Sequence, residues 1–222
     1  MPQNLGTVLF GDPFAVMNTI GLVAFALVGS AKAIREEFDL FGIAVVGFAT
    51  AFVGGVTRDL LVNRVPLVLQ SPVEISLGLV GIGLAVVLSV SLSAPDEHSL
   101  TVLSDAIGLA AFATTGAIVA TEAGISAFGI VAIATINAVG GGAFADILMD
   151  RSPFILFDDF YATCAVVGGL SYWVVDSVGV VDGGAAAVCA TLTVTVRLVA
   201  VTNGWSVPSV QNLTSKMAND RR

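Results

Sequence analysis

Charged residues are scarce in this sequence: only 12% of its 222 residues are Asp, Glu, Lys or Arg, whereas 56% are hydrophobic. Soluble domains carry about 25% charged residues, so the composition excludes an ordinary soluble protein. Between the charges lie apolar stretches of about 20 residues, long enough to cross the hydrocarbon core of a bilayer. Strand-type alternation is absent, and backbone groups in lipid must be satisfied internally, so the sequence predicts an all-α integral membrane protein.

Chemically reactive side chains are also few, with one His and two Cys in the whole chain. Cys164 and Cys189 lie inside apolar runs and are expected to be buried and inert. No nucleophile–base pair and no cluster of metal ligands is visible, so we expect neither an enzyme nor a metal or cofactor site. The net charge of −8 disfavours nucleic acid as a partner. Because the acids gather in loops, where strong salt would screen them, the sequence favours a halophilic source.

The apolar stretches predict seven transmembrane spans in one domain over residues 1–203, followed by a polar cytoplasmic tail at 204–222. We place the spans at about 14–34, 40–62, 73–93, 103–121, 125–149, 160–180 and 183–202. Basic residues concentrate on the cytoplasmic side of membrane proteins, which orients the chain with its N-terminus outside and its C-terminus in the cytoplasm. That orientation puts Lys32, Arg35, Arg151, Lys216, Arg221 and Arg222 inside, against Arg58 and Arg64 outside.

The sequence matches itself without a gap when shifted by 87 residues. Between residues 20 and 69, 19 of 50 positions are identical to their shifted counterparts, which apolar composition alone does not explain. Repeat one covers about 14–93 and repeat two about 101–180, each with three spans. An odd number of spans inverts the second copy, so we predict an inverted repeat of three plus three spans with a seventh added. Such repeats with interrupted helices are typical of a translocation pathway.

Glycine clusters interrupt the second and fifth spans at equivalent places, Gly54-Gly55 and Gly140-Gly141-Gly142. Glycine costs about 1 kcal/mol relative to alanine inside a helix, so these clusters favour a kink or local unwinding. Unwound backbone at membrane depth is tolerated where it lines a watery cavity, and its carbonyls could replace part of a cation's hydration shell. The alternative is close helix packing, which small residues also permit.

Charges follow the glycines by one turn. Asp59 is predicted at the outer end of the second span and Asp146 at the inner end of the fifth. Arg58 stands beside Asp59, whereas Ala145 occupies the equivalent position in repeat two, leaving two acids and one base along the pathway. An acidic excess raises the local concentration of cations. The alternative is that Arg58 and Asp59 pair with each other or reach the membrane interface.

Other polar residues of the spans are candidates to line the pathway. Thr50 and Asn137 occupy equivalent positions before the glycines, and Phe25 and Phe112 match as a hydrophobic constriction. The alternatives are hydroxyls bonded within their own helix and aromatic rings that pack in the core. The further hydroxyl candidates are Ser30, Thr57, Thr114 and Thr115.

Three segments resemble the prokaryotic branch of the trimeric intracellular cation channel (TRIC) family. They are GLVAFALVGSAKAIREEFDLFGI at 21–43, TAFVGGVTRDLLVNRVP at 50–66 and INAVGGGAFADILMDRSP at 136–153. The resemblance implies a homotrimer with a potassium-permeable pore in each seven-span protomer, walled by spans one, two, four and five and kinked at the glycines. Val53 replaces the first glycine of the first triad, and no base lies between Gly124 and Asp150, so phosphoinositide gating is not implied.

The sequence therefore predicts a monovalent cation channel in the plasma membrane, permeable to K⁺ and also to Na⁺, with membrane lipids as its other partners. No TVGYG filter occurs, so selectivity between K⁺ and Na⁺ should be modest. The alternative is a secondary transporter for a small solute such as glycine, because broken helices in inverted repeats suit alternating access equally well.

Overall fold

The structure, a computed structural model, describes residues 11–92, 94–156, 160–180 and 182–205, without the side chains of 94–98 and 182. These residues form seven α-helices and two short 3₁₀ helices. The α-helices are α1 (Pro13–Arg35), α2 (Leu40–Leu61), α3 (Pro72–Ser91), α4 (Ala94–Glu122), α5 (Ala127–Leu148), α6 (Tyr161–Ser177) and α7 (Asp182–Asn203). The 3₁₀ helices are η1 (Leu67–Leu69) and η2 (Phe154–Leu156).

Six of the seven α-helices are long and apolar enough to cross a membrane, and α6 is the shortest with 17 residues. The predicted all-α membrane protein is confirmed. Helix α4 begins at Ala94, well before the predicted start near 103, because hydropathy marks only the apolar part of a helix. The predicted tail beyond Trp205, with Lys216, Arg221 and Arg222, lies outside the described residues.

The helix boundaries repeat with the same 87-residue shift as the sequence. Asp39 caps α2 by accepting a hydrogen bond from Gly42 N at 2.7 Å, and Ser126 caps α5 by accepting one from Gly129 N at 3.4 Å. The turns that precede these caps contain the left-handed residues Glu37 (φ 60°) and Gly124 (φ 68°). Asn63 (φ 58°) and Asp150 (φ 56°) form a second left-handed pair, after α2 and α5. The inverted repeat therefore extends to backbone conformation.

Four helices form a closed ring around the middle of the protomer. Helix α1 packs on α2, α2 on α5, α5 on α4, and α4 back on α1. Helix α3 lies outside this ring against α1, while α6 and α7 pack together against α4. The first two helices of each repeat thus surround a common axis, and the third helices stand outside them.

An equivalent polar contact ties the third helix of each repeat to the first. Asn18 on α1 donates to both carboxylate oxygens of Glu74 on α3, at 2.9 and 3.1 Å. In repeat two the hydroxyl of Tyr161 on α6 donates to Asp105 on α4 at 2.9 Å. Arg197 on α7 also lies 3.7 Å from this carboxylate, so the added helix is fastened to the second repeat.

We expect Tyr161→Phe to lower the thermal stability of the protein. The Tyr161 side chain is buried, and its hydroxyl donates to the Asp105 carboxylate. Hydrogen bonds to charged groups are worth about 1.5–3 kcal/mol. Thermal unfolding in detergent should show a lower midpoint, whereas Thr195→Val, which removes an exposed hydroxyl bonded within α7, should leave it unchanged. Equal midpoints for the wild type and Tyr161→Phe would contradict this role of the hydroxyl.

Candidate ion passage

The two glycine clusters lie where α2 and α5 cross. A Cβ atom added at Gly54 would overlap the carbonyl oxygen of Asn137, and one at Gly141 would overlap the carbonyl oxygen of Thr50. These two contacts are equivalent under the 87-residue repeat, so the crossing is symmetric. At Gly140 the nearest atom to an added Cβ is the Gly54 Cα at 3.6 Å. The glycines therefore allow the two backbones to meet directly.

Both helices run without interruption through their glycines, α2 over Leu40–Leu61 and α5 over Ala127–Leu148. The local unwinding that the sequence analysis considered is therefore wrong for these residues, since the backbone carbonyls stay in helical hydrogen bonding. A bend at Gly54-Gly55 or at Gly140-Gly141-Gly142 stays a prediction. The physical reason for the continuous helices is that close packing at the crossing offsets the poor helix propensity of glycine.

The matched aromatic residues meet at the crossing of α1 and α4. The rings of Phe25 and Phe112 are in edge-to-face contact, with centroids 5.0 Å apart and planes at 88°. Both side chains are buried, and each ring lies over a glycine of the other helix, Phe112 over Gly21 and Phe25 over Gly108. The predicted constriction residues are thus brought together at the interface between α1 and α4, where they fill the space between these two helices.

The predicted hydroxyl candidates are bonded to backbone carbonyls, and all except the half-buried Thr57 are buried. Thr50 donates to Val46 O and Thr114 to Ala110 O, both at 2.8 Å and both within their own helix. Ser30 on α1 makes a longer contact, 3.4 Å, to Ile43 O on α2. In this arrangement these hydroxyls stabilise helices and helix contacts, as the alternative interpretation stated.

Asn137 is the buried amide of the crossing. Its side-chain nitrogen donates to Phe112 O at 2.6 Å and to Thr115 Oγ1 at 2.9 Å. Its side-chain oxygen has no hydrogen-bond partner in the part of the chain that the structure describes. Thr50, at the equivalent position of repeat one, carries a hydroxyl in place of the amide, and this hydroxyl donates to Val46 O within α2.

Asp59 forms a buried ion pair with its neighbour and holds the following loop. The guanidinium of Arg58 reaches Asp59 Oδ1 at 2.7 and 2.8 Å. Asp59 Oδ2 accepts a hydrogen bond from Leu67 N, the first residue of η1, at 3.0 Å. Both side chains are almost fully buried, so the pair is shielded from water. The Asp59 carboxylate therefore holds the Arg58 guanidinium and the start of η1 in place.

Asp146 makes the equivalent loop contact but has a different cation. Its Oδ2 accepts from Phe154 N, the first residue of η2, at 2.9 Å. Its Oδ1 lies 3.3 Å from Lys32 Nζ, which also sits over the Phe154 ring, 4.5 Å from its centroid. Lys32 comes from α1 and has no basic counterpart in repeat two, where Val119 aligns with it through the 87-residue shift. The sequence predicts an inner position for Lys32 but gives no signal for its pairing with Asp146.

Two cavities lie at opposite ends of α1. The larger, about 670 Å³, contains Lys32 and Asp146, and the smaller, about 370 Å³, contains Arg58 and Asp59. A further space of about 20 Å³, enough for one water, lies beside Asp59, Asn18 and Phe112. At 1.5 Å per residue, Asn18 and Lys32 are about 21 Å apart along the helix. The two larger cavities, called vestibules below, therefore lie toward opposite ends of α1.

Charge in the larger vestibule is not dominated by Asp146. Among the described residues, its ionisable lining consists of Lys32, Arg35, Arg151 and Arg197 together with Asp105 and Asp146. Arg151 also forms an ion pair with Glu36 at the rim. A preference for cations would therefore have to arise deeper in the passage than this vestibule.

The architecture defines a class of membrane protein: an inverted repeat of three plus three helices with a seventh, in which four helices form a ring with a cavity at each end of α1. The sequence profile of a family described as "Glycine transporter" matches twice, at residues 15–90 and 102–177. The second match begins and ends 87 residues after the first, as the internal repeat requires. The chain belongs to this family.

Known relatives agree with that assignment. A UPF0126 membrane protein of Deinococcus radiodurans is 37% identical over 160 residues, which cover 71% of this chain and 74% of the relative. A structure solved to explain conductance through TRIC cation channels is 34% identical, with a TM-score of 0.77 over 87% of this chain and 95% of that one. The TRIC channel orthologue from Rhodobacter sphaeroides is 27% identical, with a TM-score of 0.78 over 90% and 100%. The predicted resemblance to the prokaryotic TRIC family is confirmed, and the chain, like these channels, is not an enzyme.

Proposed function

We propose that this chain is a monovalent cation channel that conducts K⁺, and Na⁺ to a lesser extent, through a passage inside each protomer. The observation that carries the proposal is the ring of α1, α2, α5 and α4, with a vestibule at each end of α1. The likeness to solved cation channels at 34% and 27% identity supports the same function. No cofactor is needed for such conduction.

The charged residues support a passage that is closed in this conformation. The Phe25–Phe112 pair is packed between α1 and α4, and the Arg58–Asp59 and Lys32–Asp146 pairs lie toward opposite ends of α1. Asp59 and Asp146 are therefore each neutralised by a base. Conduction would require the aromatic rings to separate, with bending at Gly55 or Gly140, where an added Cβ meets no atom closer than 3.6 Å.

The proposed cellular setting follows from the charge distribution and the relatives. We place the chain in the plasma membrane of a halophilic prokaryote as a homotrimer surrounded by lipid, with the N-terminus outside and the C-terminus in the cytoplasm. The positive-inside rule supports this orientation, since Lys32, Arg35 and Arg151 lie at one end and Arg58 and Arg64 at the other. Relatives described as trimeric channels support the homotrimer.

A second candidate function is a secondary transporter for glycine. The description of the matching family favours it. Two buried atoms without a hydrogen-bond partner among the described residues also suit the two charged groups of glycine, namely Arg58 Nη1 for its carboxylate and Asn137 Oδ1 for its ammonium group. The space of about 20 Å³ beside Arg58 and Asp59 is too small for glycine in this conformation, so transport would need an opened state.

Purified protein in planar bilayers and in liposomes separates the two functions. A channel should give discrete unitary currents in KCl, with a reversal potential that follows the cation gradient. A transporter should give no unitary currents and should show saturable uptake of labelled glycine into liposomes. Saturable uptake without unitary currents would reject the channel proposal.

A further inference from the structure

Glu74 is a carboxylate that no base neutralises in the part of the chain that the structure describes. It lies in the first turn of α3 and is half-buried. Both of its carboxylate oxygens accept hydrogen bonds from the side-chain amide of Asn18 on α1, at 2.9 and 3.1 Å. Hydrogen bonds to both oxygens favour the charged form of a carboxylate. Because an amide carries no charge of its own, Asn18 leaves the negative charge of Glu74 uncompensated.

The Glu74 side chain faces the end of the helix ring that holds the smaller vestibule. It lines the space of about 20 Å³ together with Arg58 and Asp59. The smaller vestibule, of about 370 Å³, is also lined by Arg58 and Asp59, and both cavities share Leu67. The two cavities are therefore neighbours, and the Glu74 carboxylate lies beside the vestibule.

The bases that line these two cavities are each paired with another acid. Arg58 lies 2.7 Å from Asp59, and Arg64 lies 3.2 Å from Glu122. Glu74 thus adds one unbalanced negative charge to the described lining of the two cavities. The larger vestibule has the opposite balance, with four bases against two acids among its described lining residues.

The second repeat contains the same contact with its acid on the other helix. Through the 87-residue shift, Tyr161 aligns with Glu74 and Asp105 aligns with Asn18. Asp105 lies 3.7 Å from the Arg197 guanidinium, which the added helix α7 supplies. The acid of repeat two therefore has a base beside it, whereas the described part of repeat one offers Glu74 only the amide of Asn18.

We propose that Glu74 is the residue that gives the passage its preference for cations over anions. The proposal rests on the proposed channel function and assigns the charge that selects the ion. A fixed negative charge beside a vestibule raises the local concentration of cations and lowers that of anions. The carboxylate acts through its field, so the ion keeps its hydration shell and needs no direct contact with Glu74. At 0.15 M salt the field of an exposed charge extends about 8 Å, and farther where water is excluded.

Glu74→Gln tests this role by removing the charge while keeping a side-chain oxygen for the Asn18 amide. In planar bilayers under a KCl gradient at mildly alkaline pH, the reversal potential gives the permeability ratio of K⁺ to Cl⁻. We expect this ratio to fall several-fold in the variant. Glu74→Asp retains the charge and should keep most of the wild-type ratio. Glu37→Gln is the matched control, because Glu37 is exposed and lines none of the three cavities described above.

The outcomes distinguish the role of Glu74 from the channel function. An unchanged permeability ratio in Glu74→Gln overturns the assignment and leaves the channel function standing. A lower unitary conductance with an unchanged ratio would show that Glu74 only holds α3 against α1, which also overturns the assignment. Absence of unitary currents from the wild type, or a wild type without cation preference, overturns both proposals. If Glu74→Gln does not yield folded protein, Glu74→Ala makes the same test with a smaller side chain.

Discussion

Gly54→Ala should strongly reduce the amount of folded protein, because a Cβ at this position overlaps the backbone carbonyl of Asn137. A backbone atom cannot rotate aside as a flexible side chain would, so α2 and α5 would have to move apart. Overpacking of a well-packed core usually costs about 1–3 kcal/mol, and more where the neighbour cannot yield. Monodisperse yield and the thermal unfolding midpoint in detergent should both fall. Gly141→Ala should behave alike, since its Cβ overlaps Thr50 O in the symmetric contact.

Gly55→Ala is the matched control, one residue away in the same helix. Its added Cβ would lie 3.8 Å from Arg58 Nη2 and 4.0 Å from Asn137 Oδ1, which are ordinary contact distances. Alanine is also the better helix former by about 1 kcal/mol, so stability should be unchanged or higher. If Gly54→Ala and Gly55→Ala lose stability equally, close packing is not the reason for the glycines. Retained stability with lost conductance in Gly55→Ala would instead support bending at this position.

The sequence was sufficient to predict the helices because their signals are local or periodic. Apolar stretches marked seven spans, and the 87-residue shift implied that Gly54 and Gly141 occupy equivalent places. The sequence alone does not separate helix unwinding from close helix packing at these glycines, since glycine permits both. Distinguishing them required the position of the facing backbone, which depends on how α2 and α5 cross.

The ionic partners were harder to predict because they depend on packing between distant segments. Lys32 and Asp146 are 114 residues apart in sequence, and no spacing rule connects a lysine near the end of α1 with a carboxylate on α5. The contact of each aspartate with a 3₁₀ helix did leave a signal. In both repeats Asp59 or Asp146 precedes the bonded residue by eight positions, with an Arg-x-Pro segment between them. The repeated sequence pattern therefore marked the two aspartates and their loops, but the hydrogen bonds between them could be identified only from the structure.

Asp59→Asn should destabilise the protein more than Asp146→Asn, because the two aspartates neutralise bases of different exposure. The side chain of Arg58 is only 3% exposed, whereas that of Lys32 is 22% exposed and faces the large vestibule. Removing one partner of a buried pair costs about 3–5 kcal/mol, since the remaining charge cannot hydrate. In Asp146→Asn the unpaired Lys32 can turn toward water. The loss of stability should therefore approach the roughly 0–1 kcal/mol that exposed ion pairs contribute. Thermal unfolding of both variants in detergent measures the difference.

The double variant Arg58→Met/Asp59→Asn identifies the cause of the stability loss expected in Asp59→Asn. If the isolated guanidinium is responsible, removing it together with its partner should recover most of the stability lost in Asp59→Asn. The Asn side chain still offers an oxygen to Leu67 N, so the anchor of η1 is retained in both variants. A double variant as unstable as Asp59→Asn would show that the isolated guanidinium is not the cause of the loss. Equal losses in Asp59→Asn and Asp146→Asn would contradict the role of burial, because the loop contacts at 3.0 and 2.9 Å are equivalent while the exposure of the two bases is not.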